Sequence, residues 1–210
     1  GNRVNNNIYN NADLDYASII DPALIERVEY VSGPGSSIYG NNAFFGIINI
    51  ISKHGHDING ARVSVEASSH QGREVKLHYG ARLENGAEVL LSTSGFNGDG
   101  ENHYFPGAVS ATSDGVARNL DEQQSRRLFG KLEWDGWFAE LAYATRKKDI
   151  PTAPYSADFN TPYNGEESLL EANLKHDRQL SKSLQLSLSG YYGNFDYDRV
   201  ETHSGVPWQL

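Results

Sequence analysis

Few side chains in these 210 residues stand in an arrangement that chemistry requires. His54 and His56 flank Gly55, and two imidazoles turned one way would begin a metal site; a lone His-x-His in a linker is a weak signature, and no metal is assigned to it. Gly33-Pro34-Gly35-Ser36-Ser37 has the look of a phosphate loop, but it lacks the Gly-Lys-Ser/Thr ending, and Pro34 deletes an N–H donor. Ser, His and Asp are all present without the G-x-S-x-G context that would organise a nucleophile. Glu166 and Glu167 open a strand and read as a solvated rim. There is no Cys, which removes disulfides, thiolate ligands and a thiol nucleophile. The chain is expected to be no enzyme, with no catalytic residue, no metal and no cofactor.

What remains is binding. His103-Tyr104-Phe105-Pro106 places aromatic rings in an otherwise polar stretch, and Tyr155 and Tyr163 lie in the next long connection. Tyr191, Phe195 and Tyr197 approach the one after. Aromatic rings on Pro-stiffened loops offer contact area at low entropic cost. The competing reading is that these rings pack loop against loop or mark an interface.

The elements that must position them follow from composition and period. Acidic side chains number 27 against 18 basic, a net charge of -9, so a phosphate-binding surface is disfavoured and no nucleic-acid partner is expected. No stretch approaches the ~18 apolar residues of a membrane helix. Yet 12 Tyr, 8 Phe, 3 Trp and 21 Gly are many for a polar chain. That mixture suits an all-β protein, soluble or membrane-embedded, because only alternate residues of a barrel strand meet lipid.

From about residue 61 the pattern has period two. Val63 and Val65, Val75 and Leu77, Val89 and Leu91, Leu128 and Leu132, Leu141 and Tyr143, Leu170 and Leu174, and Leu184, Leu186 and Leu188 each alternate with polar or small neighbours. This predicts seven strands in a meander. The Glu84-Asn85-Gly86 and Asp135-Gly136 turns are tight, and the connections at Ser69 to Gly72 and near 177–183 are short. The connections near 97–125 and 149–165 are long. Loops sorted by parity fit an outer-membrane barrel, whose periplasmic turns are short and external loops long. A soluble sandwich has no reason for such sorting. Trp134 and Trp137, flanking a tight turn, would sit in an interfacial girdle, or form an ordinary cross-strand pair.

Residues 1–56 lack this alternation. Asp21-Pro22 followed by Ala23-Leu24-Ile25-Glu26-Arg27 predicts a short helix start. Val28 to Val31 is a brief strand, and Ile47-Ile48-Asn49-Ile50-Ile51 reads as a buried one. The run from Leu24 to Gly40, Leu-Ile-Glu-Arg-Val-Glu-Tyr-Val-Ser-Gly-Pro-Gly-Ser-Ser-Ile-Tyr-Gly, with its continuation to Lys53, resembles the plug domain of TonB-dependent outer-membrane receptors. Arg27, Gly33, Pro34, Gly35, Tyr39, Gly40, Gly46 and Asn49 carry the motif. Ser32 stands where the family often has a basic residue before Gly-Pro, which leaves Arg27 as the nearer candidate for an ion pair with the barrel wall.

The resemblance implies a piece of a longer receptor. It would be mainly β: a small α+β plug segment (1–56), then about seven antiparallel meander strands of an incomplete transmembrane β-barrel (57–210). It further implies residence in the bacterial outer membrane, among lipid and lipopolysaccharide. It implies active import of a scarce nutrient, most commonly a ferric siderophore, with cobalamin, haem or a glycan as alternatives. TonB, with ExbB and ExbD, would energise the receptor through a segment absent from this chain. Tyr39, Asn41 and Asn42 are the outward-facing plug candidates for ligand contact, beside His103, Tyr104, Phe105, Tyr155 and Tyr163 on the loops. A passive porin or adhesin barrel, a barrel enzyme and a soluble sandwich are the rival readings.

Overall fold

The computed structural model describes residues 3–5, 12, 18–35, 43 and 45–209. The expected helix start shrinks to one 3₁₀ turn, Pro22–Leu24. Asp21 caps it, its carboxylate accepting the Ala23 N–H at 2.8 Å, and Leu24 is fully buried. Strand β1 (Ile25–Ser32) begins at once, so Ile25, Glu26 and Arg27 are extended rather than helical. The β-branched Ile25, Val28 and Val31 favour that outcome. β1 pairs antiparallel with β2 (Gly46–Ser52), setting Tyr30 opposite Ile48 and Val28 opposite Ile50. The expected burial of β2 holds only in part: Ile48 is 60% exposed, and Tyr30 beside it is open too.

A one-turn helix α1 (Gly55–Ile58) leads into the main sheet. That sheet contains β3 (Gly60–Ala67), β4 (Arg73–Arg82), β5 (Glu88–Gly98), β8 (Gln123–Trp134), β9 (Trp137–Asp149), β10 (Asn164–Ser181), β11 (Leu184–His203) and the short β12 (Val206–Gln209). All neighbours are antiparallel, in the order β12-β11-β10-β9-β8-β5-β4-β3. The seven strands expected from period two are all present, β12 adds an eighth, and the sheet does not close. Between β5 and β8, a stretch read as loop folds into its own hairpin, β6 (His103–Val109) with β7 (Asp114–Ala117). The Asp135-Gly136 turn has positive φ at both residues, as a two-residue hairpin requires.

The sheet has two unlike faces. Registers place Val65 beside Val75, Val63 beside Leu77, Leu91 beside Gly130, Gly130 beside Leu141, and Leu141 beside Ala172. Val63, Val65, Val75, Leu77, Leu91, Leu128, Leu141, Leu174 and Leu188 on this face are all exposed. Trp134 and Trp137 pair across the tight turn at one margin of the face, where Trp137 stacks on His176 at 4.2 Å. The opposite face carries Glu74, His78, Ser92, Ser94, Arg127, Lys131 and Glu171, all buried. A core of Ile19, Leu24 and Ile58 from the N-terminal region, and Leu90, Phe129, Ala142 and Ala144 from the sheet, lies against that second face. Burying this core holds the N-terminal segment on the sheet.

β10 and β11 run for 18 and 20 residues. At ~3.3 Å per residue, β10 extends about 60 Å, twice the ~30 Å of a hydrocarbon layer. Residues 177–181 of β10 run past the end of β9 on the tight-turn side, while the long connections gather as a rim at the other end.

Candidate functional site

The seam between the N-terminal segment and the wall is made by wall cations donating to backbone. The Arg127 Nε donates to the Ser18 carbonyl at 2.9 Å, and its Nη1 reaches Ser94 Oγ at 3.5 Å and Glu74 at 3.8 Å. Lys76 joins Glu74 at 3.1 Å and Glu66 at 3.3 Å. Four residues further along β8, the Lys131 ammonium donates to Ser52 Oγ at 3.1 Å at the end of β2. These contacts correct the expectation placed on Arg27, which is exposed and spends its guanidinium on Glu26 and Glu29 of its own strand, each at 2.8 Å. Asn49 also serves that local network, donating to Glu29 at 3.1 Å. A groove of about 550 Å³ opens between β2 and the wall, lined among others by Ile48, Ile50, Phe129, Lys131, Glu140 and Glu171.

At the opposite end of the strands the connections assemble on one another. His103 pairs with Asp121 at 3.2 Å, and Asp121 also accepts from Lys148 and from the Glu101 N–H at 3.0 Å. Burial alone would raise the Asp121 carboxyl; Lys148, Glu101 and His103 together outweigh it and hold it below the usual carboxylate range. Phe105 meets Phe159 edge-on at 5.9 Å, and the Arg118 N–H donates to Asn160 at 3.0 Å, so the β6–β7 hairpin is bound to the 150–163 connection. Arg118 also grips Asp114 with both terminal nitrogens, pulling that carboxyl down to about 2. The 150–163 connection is bound in turn to β11: Asp158 donates its N–H to Thr202 and accepts from Gly205, each at 2.7 Å. The Arg199 guanidinium lies 5.3 Å from the Tyr155 ring and 5.9 Å from that of Tyr163.

The residues expected to touch ligand therefore divide. Tyr104 and Tyr155 are 61% and 68% exposed and face outward from the rim. Tyr163, at 3% exposed, is part of the rim's internal packing, and His103 and Phe105 fasten the hairpin. Tyr191, Phe195 and Tyr197 belong to β11 itself, not to a loop. Tyr39, Gly40, Asn41 and Asn42 lie outside the described residues. Of the plug motif, Gly33 has φ of +94°, a conformation glycine adopts freely, and leads into Pro34 and Gly35. Gly46 lies so close to Tyr30 that a Cβ there would come within 2.9 Å of its ring. Sequence reasoning missed Arg127, Lys131, Phe159 and Arg199. The first two were marked in principle, since Arg127, Phe129, Lys131 and Glu133 alternate on the face opposite the leucines.

A sheet with one apolar exposed face, one buried polar face and a separate small segment bound to the polar face defines a class: a wall-and-plug β-protein. The comparison with known families narrows it. Residues 1–47 match the family model described as TonB-dependent Receptor Plug Domain. A plug segment followed by an antiparallel meander that does not close is consistent with a TonB-dependent receptor fragment.

Proposed function

We propose that the chain is part of an outer-membrane receptor that binds and actively imports a scarce nutrient, a ferric siderophore before cobalamin, haem or a glycan. Residues 1–56 form the end of its plug and 57–210 the start of its barrel. The observation that carries this reading is the plug segment bound by Arg127 and Lys131 to the polar face of a sheet whose other face is exposed and apolar. An apolar band of alternate residues is what lipid requires of barrel strands, and no helix among the described residues is long and apolar enough to cross a membrane. The exposed Tyr104 and Tyr155, with the plug residues Tyr39, Asn41 and Asn42, are the ligand contacts. TonB, driven with ExbB and ExbD, acts through a segment outside this chain and shifts the plug between states of different affinity. No step of this cycle requires covalent chemistry.

The test uses the complete receptor in cells under iron limitation. Ferric siderophores, haem, cobalamin and oligosaccharides are offered singly, and uptake is followed with and without a proton-gradient uncoupler. Saturable uptake of one ligand, lost on uncoupling, is the expected result. Uptake that survives uncoupling would establish a passive pore instead.

A further inference from the structure

The histidines of the plug-to-wall linker, unused by the reading above, meet two strands of the wall. His54 Nδ1 lies 3.1 Å from Glu133 of β8 and 4.0 Å from Glu88 of β5. His56 Nδ1 lies 2.8 Å from the same Glu88 oxygen. The two imidazoles stack, 5.5 Å apart and 13° from parallel, so Glu88 bridges both. Backbone fit holds the linker in this place: a Cβ on Gly55 would come within 2.4 Å of the Val89 carbonyl, and one on Gly80 within 2.4 Å of the Gly55 carbonyl. We propose that His54 and His56 with Glu88 and Glu133 form a pH-sensitive clasp that fastens the plug's exit to the tight-turn end of the barrel wall, tight in mild acid and looser toward alkaline pH.

The other charged groups around the clasp support this direction. Asp57 lies 3.4 Å from His56 and accepts the His54 N–H at 2.7 Å. Arg82 lies 3.6 Å from Glu88, and Lys131 3.4 Å from Glu133. Glu140 of β9 adds its field to Glu133. Four carboxylates thus face two fixed cations, and the cluster is anionic until the imidazoles gain protons. The hydrogen bond to Glu88 holds the His56 ring above the ordinary imidazole range. A group raised on folding contributes below its unfolded value, and the contribution fades as pH climbs through the folded one.

Hydrogen exchange of the 53–59 backbone in the complete, cargo-free receptor tests the clasp without reference to transport. After correction for intrinsic rates, exchange should quicken roughly two- to fivefold between about pH 5.5 and about pH 8.5, the range expected of exposed ion pairs. The E88Q/E133Q receptor, which keeps side-chain shape, should lose that pH dependence while β1 and β2 remain protected. The H54Q/H56Q receptor should lose it likewise. A wild-type linker indifferent to pH, or an unchanged pH dependence in both variants, overturns the proposal; failed nutrient uptake with an intact pH response would count against the transport reading alone.

Discussion

Replacing Arg127 by Met probes the seam most directly. The Met stem fills the space of the arginine stem but offers no donor to the Ser18 carbonyl, now met at 2.9 Å. A hydrogen bond from a charged donor contributes about 1.5–3 kcal/mol. The ion pair to Glu74 adds less than a full buried pair, because its 3.8 Å separation is long and Lys76 remains at 3.1 Å to hold the carboxylate. The R127M receptor should therefore lose about 2–3 kcal/mol of docking for residues 18–24, roughly 30- to 150-fold in local opening. Native-state hydrogen exchange in the complete receptor reads this quantity residue by residue. Faster exchange confined to 18–24, with the β4, β5 and β8 backbone unchanged, is expected. Exchange at 18–24 within about twofold of the wild type, a change too small for a lost charge-assisted bond, would refute the claim that Arg127 secures the plug.

Two other substitutions test the two faces. Leu141→Arg, at mid-height of the exposed apolar band beside Gly130 and Ala172, should cost about 2–4 kcal/mol in a lipid-embedded barrel. In a soluble sheet the same exposed change would stay within about 0.5 kcal/mol, so urea titration of the receptor in bilayers separates the readings. Gly80→Ala places a methyl 2.4 Å from the Gly55 carbonyl and 2.6 Å from the Ile58 Cβ. Overpacking of this kind costs about 1–3 kcal/mol and should release α1 from the wall, seen as faster exchange at 55–59 without loss of barrel folding.

The wall was legible because its physics is local. Each strand alternates leucine or valine with polar residues, and Asn85-Gly86 and Asp135-Gly136 mark turns by chemistry that does not depend on distant neighbours. Ile25 to Arg27 deceived because Asp21-Pro22 is a genuine helix-starting signal; pairing with β2 then captured the chain after one turn. The β6–β7 hairpin was hidden because Pro106 and Gly107 interrupt its alternation, and its hold on the neighbouring connections comes from Asp121 and Phe159, distant in sequence. Arg27 and Arg127 show the same limit at the seam. A motif places a cation near a wall, but only the fold decides that Arg27 finds Glu26 and Glu29 first, while Arg127 finds Ser18.

The make-up of the seam bears on how a plug can be both held and released. Its apolar part is small: Ile19, Leu24 and Ile58 meet Leu90, Phe129 and two alanines, and Ala142 and Ala144 leave room instead of interlocking. Much of the remainder consists of discrete polar contacts from Arg127, Lys131, His54 and His56 to named partners. An apolar interface gives way in proportion to the area exposed, whereas separate hydrogen bonds can be exchanged one at a time for bonds to water at modest net cost. A plug fastened this way can shift by breaking a few contacts in order, with its β1–β2 pair left whole. The carboxylates and cations it leaves on the wall, Glu74 with Lys76 and Glu133 with Lys131, remain paired with each other. A wall so paired is fit to face water without the plug, which an apolar one would not be.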